Sequence, residues 1–312
     1  MTILTPISKS RLTLPTAEIF FSIEGEGPLT GYPTLFIRSF GCNFTCQGFS
    51  NPEGSLPEVP VVDSILKYKP EVGCDSAYAW HPNFKHLAHK HSPHDLWLHV
   101  VRQLPHYALE LLTESTVPKE STTGYFLPKS FPALSITGGE PLLHQKFWTE
   151  FFTLPEVLKN VRKLIIETNS SVPPHPDFMK VMRNLEAQGC LIVWANSPKL
   201  ANSGEEKSRA IRPSIVLQQQ RLASPVQYFK FVSDGSLASL DEIRATVEEY
   251  NHYLLLQGGE VIRDEQVYLM PEGALREQQE AIQRKVADAC LVNGYSFCAR
   301  VHCWVYSNEV GT

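Results

Sequence analysis

A chain of 312 residues that is 43% hydrophobic and 20% charged has the composition of a globular protein, which excludes a disordered or fibrous chain. A formal net charge of −5 predicts no basic surface for nucleic acid or an anionic membrane, so we expect a small-molecule partner, no nucleic acid and no membrane. No segment approaches the ~20 apolar residues of a membrane span, and the start of the chain lacks the apolar core of a signal peptide. The absence of both segments predicts a cytoplasmic location, and the length of the chain, with no convincing linker in it, favours a single domain over residues 1–312.

Short apolar runs alternate with longer segments of helical period, a pattern typical of βα units around a mostly parallel sheet. The predicted strands are 34–38, 133–137, 163–168, 190–194, 227–232, 266–270 and 297–305. The predicted helices are 93–104, 143–159, 176–188, 239–254 and 272–293. Ser239 is the predicted N-cap of the fourth helix, and Gly294 is the predicted stop of the fifth.

Three segments interrupt this alternation, because they are rich in proline or in small polar residues. Proline fixes φ and removes a hydrogen-bond donor, which favours surface loops or a lid over core elements. The predicted loop insertions within the single domain are 47–73, 113–132 and 201–225.

Seven cysteines, an odd number in a predicted cytoplasmic chain, favour metal or redox chemistry over disulfides. Cys42 and Cys46 follow the predicted strand 34–38, and Cys74 lies in a Gly-Cys-Asp-Ser-Ala-Tyr sequence. Thiolates are the usual ligands of iron–sulfur clusters and of structural zinc. For the first pair alone, a ligand site and a chance spacing of buried thiols remain equal alternatives. The remaining four are predicted to be buried thiols: Cys190, Cys290, Cys298 and Cys303.

A Thr-Gly-Gly-Glu-Pro sequence at 137–141 directly follows a predicted strand. Ligand sites collect at the carboxyl ends of parallel strands. Glycines have no Cβ, so the backbone can come close to a ligand, and Glu140 adds an acceptor beside them. The same sequence fits a tight turn equally well, and both interpretations stay open.

Together, the Cys-x3-Cys spacing, the third cysteine and the Gly-Gly-Glu-Pro sequence resemble the radical S-adenosylmethionine (SAM) enzymes. Within that superfamily, six further stretches are similar, in the same order, to the 7-carboxy-7-deazaguanine synthases. The resemblance runs from about residue 18 to the end of the chain, outside the three loops. The stretches are 20–27, 34–38, 167–170, 197–199, 268–273 and 300–302.

The resemblance implies a partial, splayed (β/α) barrel with a mostly parallel sheet. It implies a lyase that converts 6-carboxy-5,6,7,8-tetrahydropterin to 7-carboxy-7-deazaguanine with loss of ammonia, on the route to queuosine. The implied cofactors are a [4Fe–4S] cluster, SAM that is regenerated in each cycle, and Mg²⁺. The implied partners are a flavodoxin-like or other low-potential electron donor and a second copy of the chain in a homodimer.

Carried over by position, Cys42, Cys46 and Cys74 would hold the cluster, and Ser76 would bind Mg²⁺. The residues implied to meet SAM are Gly73, Cys74, Asp75, Gly139, Ser197, Pro198 and Lys199. Those implied to face the pterin are Ile23, Glu24, Gly25, Arg38 and Thr137, with Glu167 and Asn169 as further candidates. A guanidinium at position 38 also suits bidentate binding of the pterin carboxylate.

Three features depart from the family pattern. The family usually has two residues between its second and third cysteines, whereas 27 separate Cys46 from Cys74. Cys74 is the preferred ligand because Cys-Asp-Ser matches the family's Cys-Asp-Thr and because Phe49, at the usual spacing, cannot ligate iron. Ser76 replaces a threonine. Glu24 replaces a glutamine, so either it accepts from ring N–H groups or the substrate differs from the family's.

Two alternative functions stay open. One is a radical SAM activase that generates a glycyl radical on a partner protein. The other is a zinc-dependent binding module that uses Cys42, Cys46, Cys74 and His81 as a Cys3His site. Six histidines crowd residues 81–99, and a solvated polar loop and helix start account for most of them. His302 is open between a structural and a functional role.

Overall fold

The computed structural model describes residues 12–51, 59–68, 71–105, 131–307 and 311. Its strands are β1 (Leu14–Ile23), β2 (Pro33–Ser39), β3 (His89–His91), β4 (Ala133–Gly138), β5 (Lys163–Thr168), β6 (Leu191–Asn196), β7 (Val226–Ser233), β8 (Val267–Pro271) and β9 (Ser296–Phe297). Its α-helices are α1 (Pro93–Gln103), α2 (Gln145–Phe151), α3 (Pro155–Asn160), α4 (Pro176–Ala187), α5 (Lys207–Ala210), α6 (Pro213–Gln219), α7 (Leu237–Leu256), α8 (Arg276–Asn293) and α9 (Val301–Tyr306). In the described part of the chain, no helix is both long and apolar enough to cross a bilayer.

The strands form one sheet in the order β3-β1-β2-β4-β5-β6-β7-β8-β9. β1 pairs antiparallel with β2 and β3, and every neighbouring pair from β2 to β9 is parallel. β3 and β9 stay at the two edges, so among the described strands the sheet is open and does not close into a full barrel. The predicted α/β class, with a splayed and mostly parallel sheet, is confirmed.

The sheet is buried on both faces. Leu134 of β4 and Leu164 of β5 pack in the main core with Trp148 of α2. Ala133 and Ile165, one residue away on the same strands, lie in a separate cluster. This division follows from the pleat, because successive side chains of a strand point to opposite faces. A second large core packs β7 and β8 against α7 and α8.

Six of the seven predicted strands are present within one or two residues of their predicted bounds. The sequence does not predict β1 or β3. The predicted strand 297–305 is wrong, because β9 ends at Phe297 and α9 begins at Val301. The Val301 N–H donates to the Gly25 carbonyl at 3.0 Å, which draws the chain away from the sheet edge.

Three helix predictions also need correction. The predicted helix 143–159 is interrupted, since α2 and α3 are separate helices and Pro155 begins the second. Proline is favoured at that first position, where its missing N–H has no helical partner anyway. The N-cap of α7 is Ser236, whose hydroxyl accepts from the Ser239 N–H at 3.2 Å, so Ser239 lies inside the helix. The last predicted helix begins at Arg276 instead of residue 272, and Gly294 ends it as predicted.

The predicted loop 201–225 contains α5 and α6, and α6 buries Ile215 and Val216. The prediction of an irregular surface loop is therefore wrong there. The predicted loop 113–132 lies outside the described residues except for 131 and 132. Within 47–73 the structure describes 47–51, 59–68 and 71–73, where the only regular element of these residues is a short 3₁₀ turn, Ile65–Lys67.

The two ends of the 47–73 segment meet at Phe49 and Gly73, a pair that we call the neck. The Gly73 N–H donates to the Phe49 carbonyl at 2.7 Å, so the residues that bound the excursion are neighbours in space. Val59 is buried in a small apolar cluster with Tyr78 and Phe84, separate from the main cores. The segment therefore has a core of its own, beside the residues that follow Cys74.

Candidate active site

A cavity of about 220 Å³ opens at the carboxyl ends of the parallel strands. Residues at the ends of β2, β4, β5, β6, β7 and β8 contribute to its wall, together with the cysteine segment and the C-terminal segment. Nearly all of the sequence-predicted site residues line it: Ile23, Glu24, Gly25, Arg38, Cys42, Cys46, Gly73, Cys74, Asp75, Ser76, Thr137, Gly139, Glu167, Asn169, Ser197 and Lys199. Pro198 is buried next to this wall without lining the cavity.

Three predicted ligand thiols share this cavity, although Cys74 is separated in sequence from the other two. All are free cysteines, and burial raises the pKa of each, to about 12 for Cys42. Cys74 adds to the raised pKa of both Cys42 and Cys46, whereas the Lys199 ammonium opposes it. Three thiols that line one cavity together with Lys199 supply the kind of ligand by which iron–sulfur clusters are held.

The alternative Cys3His zinc site is not formed among the described residues. Among the described residues, no group of three or more His, Cys, Asp or Glu side chains converges on one metal-ion position. His81 instead accepts a hydrogen bond from the Asn83 N–H through its Nδ1 atom, and its ring lies beside Trp80 and Phe84. Cysteines that each bind a different iron of a cube need no such convergence on a single ion.

The loop that carries Cys42 and Cys46 is held by residues distant in sequence. The Glu205 carboxylate accepts from the Thr45 N–H at 2.7 Å and from the Cys46 N–H at 2.8 Å. Arg209 donates to the Asn43 carbonyl at 3.0 Å. Both tethers come from the 201–225 segment, so that segment supports the cysteine loop.

The Gly-Gly-Glu-Pro sequence packs against the same loop. A Cβ on Gly139 would lie 2.2 Å from the Gly41 carbonyl oxygen, so only glycine permits this backbone approach. The Glu140 N–H donates to the same carbonyl at 2.8 Å. The Glu140 side chain points into the protein, where it accepts from the Asn169 N–H at 2.8 Å and from the Thr168 hydroxyl at 2.9 Å. The motif thus fixes the ends of β2, β4 and β5 relative to one another, in addition to lining the cavity.

Arg38 lies next to Thr137 in the β2–β4 register and lines the cavity with its orientation fixed. Its Nε donates to Glu18 at 2.6 Å, and the same carboxylate oxygen accepts from the Tyr78 hydroxyl at 2.7 Å. Its Nη1 lies 3.4 Å from the Ser76 hydroxyl. The terminal nitrogens of the guanidinium are therefore held at the cavity, where they can bind an anionic group.

A buried charge network that the sequence analysis missed borders the cavity. Glu26 accepts from Lys230 at 2.5 Å and from Arg300 at 3.1 Å. Lys230 lies 3.6 Å from Glu167, and Arg300 pairs with Asp75 at 2.6 Å. Burial opposes ionisation of Glu26, but the two cations outweigh it and hold its pKa well below the usual value. One signal in the sequence could have indicated this network: Lys230 is the only charged residue in the predicted strand 227–232.

The C-terminal segment completes the wall. His302 lines the cavity and lies so close to Gly25 that a Cβ there would be 1.8 Å from the histidine Nδ1. Burial, with Arg300 adding to it, lowers the pKa of His302 to about 4, so its imidazole is neutral near pH 7. The structure thus places His302 beside the predicted pterin residues, which the sequence left open.

Glu24 is almost completely buried, with 3% of its surface exposed. One carboxylate oxygen accepts from the Glu26 N–H at 3.2 Å, and the other is buried without a hydrogen-bond partner among the described residues. Burial, with Glu167 adding to it, raises the pKa of Glu24 to about 8. A neutral carboxylic acid is therefore the dominant form below that pH.

The chain is similar over nearly its whole length to curated proteins named 7-carboxy-7-deazaguanine synthase. The relative from Pyrobaculum aerophilum is 25% identical over 297 residues, which are 94% of this chain and 95% of the relative. That from Rhodopirellula baltica is 26% identical over 97% of this chain and 90% of the relative. That from Halobacterium salinarum is 24% identical over 96% and 93%. The predicted resemblance is confirmed.

The chain was also compared with protein-family models and with solved structures. No protein-family model matches the chain. A crystal structure of QueE from Escherichia coli is 16% identical, with a TM-score of 0.47 over 93% of this chain and 95% of that one.

Proposed function

We propose that this chain is a radical SAM carbon–nitrogen lyase that converts 6-carboxy-5,6,7,8-tetrahydropterin to 7-carboxy-7-deazaguanine and ammonia. The observation that carries the proposal is that three cysteines and the predicted pterin residues line one cavity at the strand carboxyl ends. The near-full-length similarity to proteins of that name supports the substrate. Loss of ammonia accounts for the whole difference in composition between the substrate and the product, so the reaction needs no net oxidant.

Cys42, Cys46 and Cys74 would hold a [4Fe–4S] cluster, which fits the donor set because all three are thiols that line one cavity. When bound, the cluster and SAM supply the reducing and radical chemistry of the reaction. Five cavity residues besides Cys74 are the proposed SAM contacts: Gly73, Asp75, Gly139, Ser197 and Lys199. Pro198, buried between the last two, would fix their backbone. Ser76 is the proposed Mg²⁺ ligand, through its hydroxyl oxygen.

The chain's own contribution is positioning and the exclusion of water. Arg38 would bind the pterin carboxylate through its terminal nitrogens, because Glu18 already occupies Nε. Ile23, Gly25 and Thr137 would border the ring, and His302 covers the backbone at Gly25. Glu167 and Asn169 line the same cavity and are proposed as further ring contacts.

The chain would receive electrons from a flavodoxin-like or other low-potential donor in the cytoplasm. It would act as a homodimer, without a nucleic-acid or membrane partner. The proposed single domain comprises residues 1–312, with insertions at 47–73, 113–132 and 201–225, and Glu205 and Arg209 of the last insertion support the cysteine loop.

Anaerobic reconstitution with iron and sulfide, followed by incubation with SAM, a reductant and the tetrahydropterin, tests the proposal. We expect a product with the mass of 7-carboxy-7-deazaguanine, one ammonia per product and 5′-deoxyadenosine well below one per product. Stoichiometric 5′-deoxyadenosine without a new purine would instead indicate an activase. A colourless protein that binds one zinc would contradict the proposal.

A further inference from the structure

We propose that Glu24 binds the substrate as a neutral carboxylic acid, which donates its proton in a hydrogen bond to an acceptor atom of the bound heterocycle. The inference rests on the proposed function, because it assigns the ligand to the cavity described above. It goes further by assigning a protonation state to Glu24 and a role to its proton. It also assigns the chemical class of the recognised group, an uncharged ring acceptor such as a lactam oxygen or a ring nitrogen.

The first support is the unpaired oxygen. Glu24 lines the cavity, yet its Oε2 atom is buried and has no hydrogen-bond partner among the described residues. Its Oε1 atom is occupied by the Glu26 N–H at 3.2 Å. Burying an unpaired carboxylate oxygen is costly, whereas a carboxylic acid in contact with a ligand acceptor is satisfied. The missing partner is therefore expected to come from the ligand.

The second support is the charge of the surroundings. The titratable groups that interact with Glu24 or border it come from four elements: Glu26 on its own loop, Glu167 on β5, Tyr228 and Lys230 on β7, and Cys298 and His302 from the C-terminal segment. Two of these groups, Glu26 and Glu167, are carboxylates. Burial lowers the pKa of His302 to about 4 and raises the pKa of the Cys298 thiol to about 12. Both of these groups are therefore neutral near pH 7.

The third support is that the neighbouring cation is already paired. Lys230 donates to Glu26 at 2.5 Å and lies 3.6 Å from Glu167. Arg300 is shared between Glu26 and Asp75. Lys230 still lowers the pKa of Glu24, but burial and the nearby Glu167 carboxylate outweigh it, so the protonated form of Glu24 is favoured.

A protonated glutamate resembles a glutamine, because both are uncharged and present one acceptor and a donor in the same plane. The acceptor is used by the Glu26 N–H, so the donor faces the ligand. Since burial raises the pKa of Glu24 to about 8, the donor is present at neutral pH and is lost as the pH rises through that value. Ligand affinity should fall over the same interval.

The test measures binding of 7-carboxy-7-deazaguanine, the proposed product, by calorimetry in anaerobically reconstituted wild type, Glu24→Gln and Glu24→Ala. From one pH unit below the pKa to one above it, the protonated fraction falls roughly tenfold. We expect the wild-type Kd to weaken by about that factor. Glu24→Gln should bind with a Kd that is independent of pH over this interval, and Glu24→Ala should bind weakly throughout.

Infrared difference spectroscopy of wild type minus Glu24→Gln adds a readout that needs no ligand. A carboxylic-acid carbonyl band below about pH 8 that disappears above it supports the proton on Glu24. No such band, together with equal pH dependence of binding in wild type and Glu24→Gln, would overturn the inference while turnover of the tetrahydropterin still stood. If the band is present but neither the wild type nor either variant binds the product at any pH, the assigned ligand is wrong, and with it the proposed function.

Discussion

The cavity has two walls that are positioned by different means. The strand-end wall is formed by cavity-lining residues within 137–139, 167–169 and 195–199, and the cysteine wall by those within 42–46 and 73–76. The first follows directly from parallel strands in fixed register, closed by the Glu140 side chain at the ends of β4 and β5. The second is irregular backbone, held by Glu205, Arg209 and Arg300 from elsewhere in the chain.

The contrast explains how a long insertion is accommodated between Cys46 and Cys74, two proposed cluster ligands. The cysteine wall does not depend on the short spacing between its cysteines, because each half is anchored separately. The hydrogen bond from Gly73 to Phe49 closes the neck, and the Arg300–Asp75 pair holds the half that carries Cys74. Residues can be inserted beyond the neck without moving either half, because a longer loop adds only a slowly growing entropic cost.

The largest expected effect is on the cysteine wall itself. Cys74→Ala should remove the third thiolate and abolish assembly of a complete cluster, whereas Phe49→Ala should retain the cluster. Cys190→Ala, a buried thiol in the main core, is the matched control and should keep its iron. Iron and sulfide content with the visible absorption spectrum measures all three. A full cluster in Cys74→Ala would refute its assignment as a ligand.

On the strand-end wall, Glu140→Ala should destabilise the fold. The substitution leaves the Asn169 N–H, the Leu142 N–H and the Thr168 hydroxyl without their acceptor. We expect the free energy of unfolding to fall by about 3 kcal/mol, measured by urea denaturation. Glu140→Gln keeps one acceptor oxygen and should lose less than half as much. Equal losses in both variants would mean that the carboxylate does not join the strand ends.

Arg300→Gln tests the tie between the C-terminal segment and the cysteine wall. Loss of the pair with Asp75 frees a residue proposed to contact SAM, and we expect SAM to bind roughly tenfold more weakly, equivalent to about 1.4 kcal/mol. Equilibrium binding to the reconstituted protein measures this, with exposed Arg284→Gln as the control. An unchanged affinity for SAM would show that the pair is not needed to position Asp75.

The smallest expected effect concerns Glu205. Glu205→Ala should leave the fold intact but speed hydrogen exchange at the Thr45 and Cys46 amides several-fold, because both lose their acceptor. Glu206→Ala, an exposed neighbour, should leave these amides unchanged. If both variants exchange at the wild-type rate, other contacts hold the loop and the role given to the 201–225 segment is wrong.

The sequence predicts the strand-end wall better than the cysteine wall for a physical reason. Parallel strands bring the residues at their carboxyl ends to one edge, so the strand pattern predicted a ligand site at 137–141, and the family resemblance added Glu167 and Ser197. The contact of Arg300 with Glu26 joins residues 274 positions apart, and that of Glu205 with Cys46 joins residues 159 apart. The periodicity of apolar residues within a helix or strand does not predict contacts between residues so far apart in sequence. Predicting a strand at 297–305 failed for the same reason, since a contact with Gly25 diverts the chain.

The most direct test of the split cysteine wall is the electron paramagnetic resonance spectrum of the reduced, anaerobically reconstituted wild type, recorded before and after SAM is added. Three thiolates on a four-iron cluster leave one iron without a protein ligand, where SAM can bind. We predict a cluster signal that changes shape on addition of SAM and that Phe49→Ala retains. A signal that SAM does not alter, or the same SAM-responsive signal in Cys74→Ala, would contradict the account.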